Sequence, residues 1–251
     1  CDLRYKSHKI TDGKYGLEGL PAVYASDTEA QTLEVLLEDP VTKVQAVLLY
    51  GVLPEYDIIT RSVRIANGGP DRIYVNKAAS ACLDFLDGEY DMISFYGRHA
   101  MERNFQRTPV HHGKQAVRSS RGASSHQYNP AVILARPNTD EKSGGCYGMV
   151  FVYSGNFECE IEKDQFNQTR AIMGLSEAFF SYPLDEGETF VIPETVLTYS
   201  DQGFGRLSRN LHRCFRRHLC RGRYRDQVRP VLVNSWEADY FHFTGESICR
   251  L

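Results

Sequence analysis

The chain's one tryptophan stands in a polar and aromatic cluster, Asn234-Ser235-Trp236-Glu237-Ala238-Asp239-Tyr240. These residues are the best equipped for chemistry. Trp236 offers a large flat apolar face with an N–H at its edge, which suits a ligand with a C–H-rich face and hydroxyls around it. Glu237 and Asp239 stand two residues apart. On a strand they would share a face at about 6.6–7 Å, a separation that a general acid and a general base can bridge through water. A plainer role competes with this one, because carboxylates at a strand end cap helices or pair with arginines, and several arginines are near in sequence. The plainer role is the stronger, so neither carboxylate is assigned a catalytic part.

Three other groups invite a chemical reading. Ser124, Ser125 and His126 supply a hydroxyl and an imidazole, but no acid in sequence orients the histidine, and adjacent residues of an extended chain point to opposite faces. Their expected role is to satisfy the backbone of a loop. His99, His111, His112 and His126 suggest a metal, yet two adjacent histidines do not readily face one ion, and no cysteine or carboxylate completes a tetrahedron. No metal is expected. Arg206, Arg209, Arg213, Arg216, Arg217 and Arg221 cluster in one stretch and could neutralise phosphate. The apolar stripe within that stretch fits a docked helix with a solvated basic face better.

The elements that must position these groups are legible in outline. Pro230 presets the backbone before the apolar run Val231, Leu232 and Val233, which reads as a strand buried on both faces. A buried strand that opens onto polar and aromatic groups is how a (β/α)8 barrel builds its active face. Upstream, the first 30 residues read as irregular and polar. Strand-like alternation follows at 32–37, 44–50, 58–65, 73–75, 92–96, 131–135, 147–153, 157–163, 170–174 and 190–199. Turn signals separate these stretches, among them Asp39-Pro40 and Asp185-Glu186-Gly187. After Gly203 the period changes. Leu207, Leu211, Phe215 and Leu219 fall four apart, a single helical stripe, with Gly222 as the expected cap.

The totals bound the answer. With 251 residues, 42% of them hydrophobic, the chain can build one large all-β domain or two ordinary ones. The net charge of −3 excludes capture of nucleic acid by overall charge. Seven cysteines make an odd number and none form C-x-x-C, so most read as small buried hydrophobes, and a reducing, cytoplasmic compartment is expected. No apolar run of membrane length occurs.

Four segments carry a resemblance. RSSRGASSHQYNP at 118–130, VYSGNF at 152–157, PETVLTYSDQG at 193–203 and RPVLVNSWEADYFHF at 229–243 resemble, in this order, signatures of the bacterial α-galactosidases of glycoside hydrolase family 36. His242 stands where the family usually has aspartate. The resemblance implies an all-β fold, a β-supersandwich of two large antiparallel sheets over residues 1–203 with its start absent. It implies a linker helix over 204–225 and the first strand of a truncated (β/α)8 barrel within 226–251.

The resemblance also implies hydrolysis of terminal α-galactosides of the melibiose and raffinose type, with retention and without a cofactor, by a cytoplasmic homo-oligomer. Trp236 would line the galactose subsite. The family's two catalytic aspartates belong to a K-W-D-x-N segment and a C-S-G-G-G segment, neither of which occurs in this sequence. This stretch alone is therefore expected to be inactive. Its partners are α-galactoside oligosaccharides, with no nucleic acid and no membrane. A stand-alone carbohydrate-binding or assembly module is the alternative.

Overall fold

The computed structural model describes residues 2–251, which divide into two compact units, one ending at Leu219 and one running from Cys220 to Leu251. The first unit is almost entirely strand. In chain order it contains β1 (Arg4–Asp12), β2 (Gln31–Glu38), β3 (Val44–Leu53), β4 (Ile58–Asn67), β5 (Ile73–Val75), β6 (Ala79–Phe85), β7 (Asp91–Arg98) and β8 (Met101–Pro109). There follow β9 (Gly113–Ser119), β10 (Tyr128–Ala135), β11 (Cys146–Phe151), β12 (Phe157–Lys163), β13 (Thr169–Leu175), β14 (Tyr182–Leu184), β15 (Thr189–Val191) and β16 (Thr195–Ser200). One helix, α1 (Gly203–His218), closes the unit.

The frame is a ten-stranded antiparallel sheet in the order β1-β2-β3-β4-β16-β11-β10-β7-β8, with β15 also on β4. Its two faces are covered differently. On one, Met92, Val132, Leu134, Met149 and Phe151 pack on Cys159, Ile161, Ala171 and Met173 of the three-stranded sheet β12-β13-β6. On the same side Ala46 and Val63 pack on Val75 and Leu184 of the two-stranded sheet β14-β5. The second layer is thus shared between two small sheets. The other face carries α1 and the segment before β2: Val196 and Ile58 meet Cys214 and Val23, and Ile93 and Cys146 meet Leu207.

Strands β6, β8, β9 and β14 lie outside the strand-like stretches of the sequence, and three further details of this unit depart from the sequence expectations. The opening is not irregular: β1 is nine residues long and pairs with β2 from Arg4↔Glu38 to Asp12↔Gln31. All but one of its residues are exposed, so no apolar alternation could announce it, and its backbone ladder alone makes it a strand. The stretch 190–199 is two strands rather than one. Val191 pairs with Arg64 and Thr195 with Arg61, so four steps on one strand oppose three on the other. This is a bulge, and Pro193, which has no N–H to offer a ladder, stands in it. The helix stops at His218, short of 225 and before Gly222. Its end is tied by reciprocal bonds, the Tyr24 N–H donating to the His218 carbonyl at 2.8 Å and the His218 ring Nδ1 lying 2.9 Å from the Tyr24 carbonyl oxygen.

The second unit contains two one-turn helices, α2 (Trp236–Asp239) and α3 (Gly245–Ile248). The expected strand at 231–233 does not form in it, and Val231 and Leu232 are 95% and 83% exposed. A parallel strand is stable only between hydrogen-bonded neighbours, and the described residues of this unit provide none.

Candidate functional site

Trp236 opens α2. Its N–H donates to the Asn234 Oδ1 at 2.9 Å, a side-chain turn that starts the helix. The indole meets Tyr240 edge-on at 5.4 Å and Phe241 at 4.9 Å with planes at 90°. The ring remains 46% exposed, so the cluster presents an indole face held by two aromatic edges.

Glu237 and Asp239 do not share a face. They lie on one turn of α2 rather than on a strand, and two residues of helix turn the side chains about 200° apart. Asp239 is engaged elsewhere, accepting from the Ser247 hydroxyl at 3.0 Å. The pair is not an acid and a base facing one bond. Ser247 also closes a capping box with Thr244 at the start of α3.

The loop between β9 and β10 holds the first of the four motifs, and it meets the second. The Gly122 N–H donates to the Asn156 Oδ1 at 2.6 Å, and the Ser124 N–H donates to the Ser154 carbonyl at 2.8 Å. Within the loop the Ser119 hydroxyl donates to the Ala123 carbonyl at 2.6 Å, and the Gln127 N–H donates to the Ser125 hydroxyl oxygen at 3.1 Å. Gly122 and Ser125 both take positive φ, at 84° and 57°. Ser125 serves its own loop and makes no bond to His126. The motif builds a locked turn rather than a nucleophile and base.

The third motif supplies a buried charge that sequence reasoning missed. Glu194 is 0% exposed and sits in the bulge between β15 and β16. One of its oxygens accepts from Lys14 Nζ at 2.6 Å and the other from the Val23 N–H at 2.7 Å. Lys14 also donates to the Tyr15 carbonyl at 3.0 Å and lies over the Tyr15 ring at 3.1 Å. Burial pulls the Lys14 ammonium down to about 8 despite the opposing pull of Glu194. Tyr15, sealed beside them, is pushed well above the ordinary range by the same desolvation. Both side chains of the Lys14–Glu194 pair are sealed from solvent. The pair's work is to clamp the segment before β2 onto the large sheet. A glutamate after a proline within a strand-like stretch was the available signal, but its partner lies 180 residues away.

Gly203, at the end of that motif, takes φ 71°. Its N–H donates to the Gly144 carbonyl at 3.0 Å, and those of Phe204 and Gly205 donate to the Asp140 and Glu141 carbonyls at 2.9 Å each. The first turn of α1 is thus capped by loop carbonyls. Of its arginines, Arg206 pairs with Asp57 at 3.0 Å and Arg217 with Glu55 at 4.0 Å. Among the described residues no group of three His, Cys, Asp or Glu is arranged to hold a metal, and no helix is long and apolar enough to cross a membrane.

Comparison with known proteins places these features. The family model described as "Glycosyl hydrolase family 36 N-terminal domain" matches residues 1–185, and the one described as "Melibiase" matches 189–251. The chain is 60% identical over all 251 residues to the bifunctional alpha-galactosidase/sucrose kinase AgaSK of Mediterraneibacter gnavus, of which it spans 27%. It is 45% identical over its whole length to the alpha-galactosidase AgaA of Geobacillus stearothermophilus, of which it spans 34%. The crystal structure of AgaA superimposes with a TM-score of 0.95 over 98% of this chain and 34% of that one. A variant of AgaA has been crystallised in complex with raffinose. The chain therefore spans about a third or less of the relatives' length. With its sheets, its locked motif turns and its aromatic cluster all falling inside these matches, the chain belongs to glycoside hydrolase family 36.

Proposed function

We propose that this chain is part of an α-galactosidase that hydrolyses terminal α-galactosides of the melibiose and raffinose type with retention of configuration and no cofactor. The observation that carries the reading is the 60% identity, over 251 residues, to a protein named as an alpha-galactosidase. In this reading residues 1–203 are the supersandwich domain, 204–225 the linker and 226–251 the start of the catalytic barrel. Trp236 gives its half-exposed indole face to the galactose ring, and Tyr240 and Phe241 hold that face in place.

A retaining glycosidase sets two carboxyl groups about 5–5.5 Å apart, one as nucleophile and one as acid and base. Glu237 and Asp239, turned away from each other on α2, do not fit those parts. The catalytic pair is assigned to barrel strands outside this stretch. The whole protein would act in the cytoplasm as a homo-oligomer.

Assaying the whole protein on melibiose and raffinose, with the anomer followed by proton NMR, tests the reading. Release of α-galactose first, before mutarotation, is expected. Release of β-galactose, or no turnover of either sugar, overturns it. The 251-residue chain alone is expected to leave p-nitrophenyl α-galactoside intact, and turnover by the clean chain would contradict the assignment of the carboxylates.

A further inference from the structure

The large sheet has a notch. Strand β16 pairs with β11 along its whole length, from Thr195↔Phe151 to Ser200↔Cys146. On its other side it pairs with β4 only as far as Thr198↔Ile58, because the β3–β4 hairpin turns back at Pro54–Tyr56. Tyr199, Ser200 and Asp201 therefore have no strand partner on the β4 side. A cavity of about 620 Å³ fills the space, a volume within the usual range of small-molecule sites.

The walls of the notch differ in character. Leu197, Ile59 and Val52 lie opposite one another on three adjacent strands and make an aliphatic floor, with Ile59 44% and Val52 40% exposed. Tyr199 stands at the end of this row, 47% exposed, its ring 4.7 Å from that of Tyr147 at a 40° tilt. The facing rim is polar. Asp57, held at φ 53° by the hairpin turn, accepts from Arg206 at 3.0 Å and from Asn210 at 3.3 Å. Asp201 and Gln202 complete the rim.

Chemistry narrows the occupant. An anion is disfavoured, because the first amides of α1 are already taken by the carbonyls of Gly144, Asp140 and Glu141, and Arg206 is neutralised by Asp57. A wholly apolar ligand would strip water from Asp201, Gln202 and the unpaired edge of β16 without replacing their hydrogen bonds. A neutral molecule with one C–H-rich face and a ring of hydroxyls satisfies both walls. It stacks on Tyr199 and the aliphatic row, and it exchanges hydrogen bonds with the rim. We propose that the notch between β16 and the β3–β4 hairpin is a saccharide-binding site on the supersandwich domain, built from residues of the first unit alone. The galactoside reading supplies only the choice of probe, since the site does not depend on hydrolysis.

The test uses the 251-residue chain with raffinose, read by saturation-transfer NMR, with thermal melting as a control for folding. Transfer to the sugar is expected, lost in Tyr199→Ala and in Val52→Arg, and kept in Tyr199→Phe, which retains the ring face. Val52→Arg guards against a folding artefact, because it fills the notch from an exposed position and removes no core contact. Absence of transfer in the unsubstituted chain overturns the proposal. So does transfer that survives both Tyr199→Ala and Val52→Arg, or that Trp236→Ala abolishes while Tyr199→Ala leaves it whole. Failure here leaves galactoside turnover by the whole protein untouched, and failure of that turnover leaves binding in the notch untouched.

Discussion

Lys14 Nζ lies 2.6 Å from Glu194 Oε1 with both side chains fully sealed from solvent, and a bulge places the glutamate there. Regular alternation along 191–195 would put Val191 and Thr195 on one face of the sheet. The inserted residue reverses this. Val191 packs with Tyr15 and Leu17 on the α1 side, while the Thr195 hydroxyl lies 2.7 Å from that of Ser80 on the opposite side. Glu194 is thereby turned to the side where Lys14 and Val23 wait. Removing one partner strands a buried charge. Lys14→Met is expected to cost about 3–5 kcal/mol, read as a lower urea midpoint with unchanged slope. Adding Glu194→Gln to it should recover part of that loss, because no net charge then stays buried.

The same lysine sets a pH dependence. Its folded value of about 8 lies below the ordinary 10.5. Between these values the unfolded chain binds more protons than the folded one, so this group's contribution to stability rises with pH. At neutral pH and below, the cost of burying the ammonium is fully present, and it fades as pH rises through 8. The gap in unfolding free energy between the unsubstituted chain and Lys14→Met should therefore widen from pH 8 towards pH 10. Urea titrations of both proteins at matched pH check this, and a gap that narrows over that range would contradict the assignment.

Gly203 and Gly205 let the loop before β11 seat on the start of α1. A Cβ on Gly203 would collide with the Asp140 carbonyl oxygen at a positive φ, and one on Gly205 would come within 2.8 Å of the Glu141 carbonyl oxygen. Gly203→Ala is expected to lower stability by at least about 2 kcal/mol, combining left-handed strain with the clash. Gly222→Ala has positive φ but open space around it, so it should cost only about 1 kcal/mol. Thermal unfolding of the two variants side by side separates the clash from the strain.

Asn156 joins two motifs through the Gly122 N–H. Asn156→Ala hands that exposed donor to water, so only the net worth of one hydrogen bond is lost, about 0.5–1 kcal/mol. The effect should be local. Limited proteolysis is expected to cut within 120–127 faster in the variant, with little change in the global melting temperature.

Trp236 is tested in the whole protein. If its indole stacks on galactose, Trp236→Ala should raise KM for melibiose about 10-fold or more, the loss of one aromatic contact. Trp236→Tyr should restore part of it. A KM unchanged in Trp236→Ala would remove the residue from the subsite.

Much of this was legible in the chain itself. Where a strand has one wetter face and one dry face, as in β12, the alternation of side chains announces it. The stripe of α1 is equally plain, and the four motifs carried the family. The carboxylates of α2 were misplaced because a four-residue helix has no period to read. Strand β1 was invisible for a related reason, since an edge strand with both faces wet has no apolar pattern at all.

What only the tertiary structure decided is what the motifs are for. By sequence, residues 118–130 and 152–157 are separate polar stretches; in the fold they form one joint between Gly122, Ser124, Ser154 and Asn156. Glu194 reads as one residue inside a strand over 190–199 until a bulge turns it toward Lys14, 180 residues upstream. The notch beside Tyr199 exists because β16 runs on past Ile58, where β4 begins, a mismatch between strands about 140 residues apart that no local pattern records. Side-chain type and period are local properties, and they determined the elements. Partners across the sheet are set by register, bulges and strand ends, which belong to the assembled chain alone.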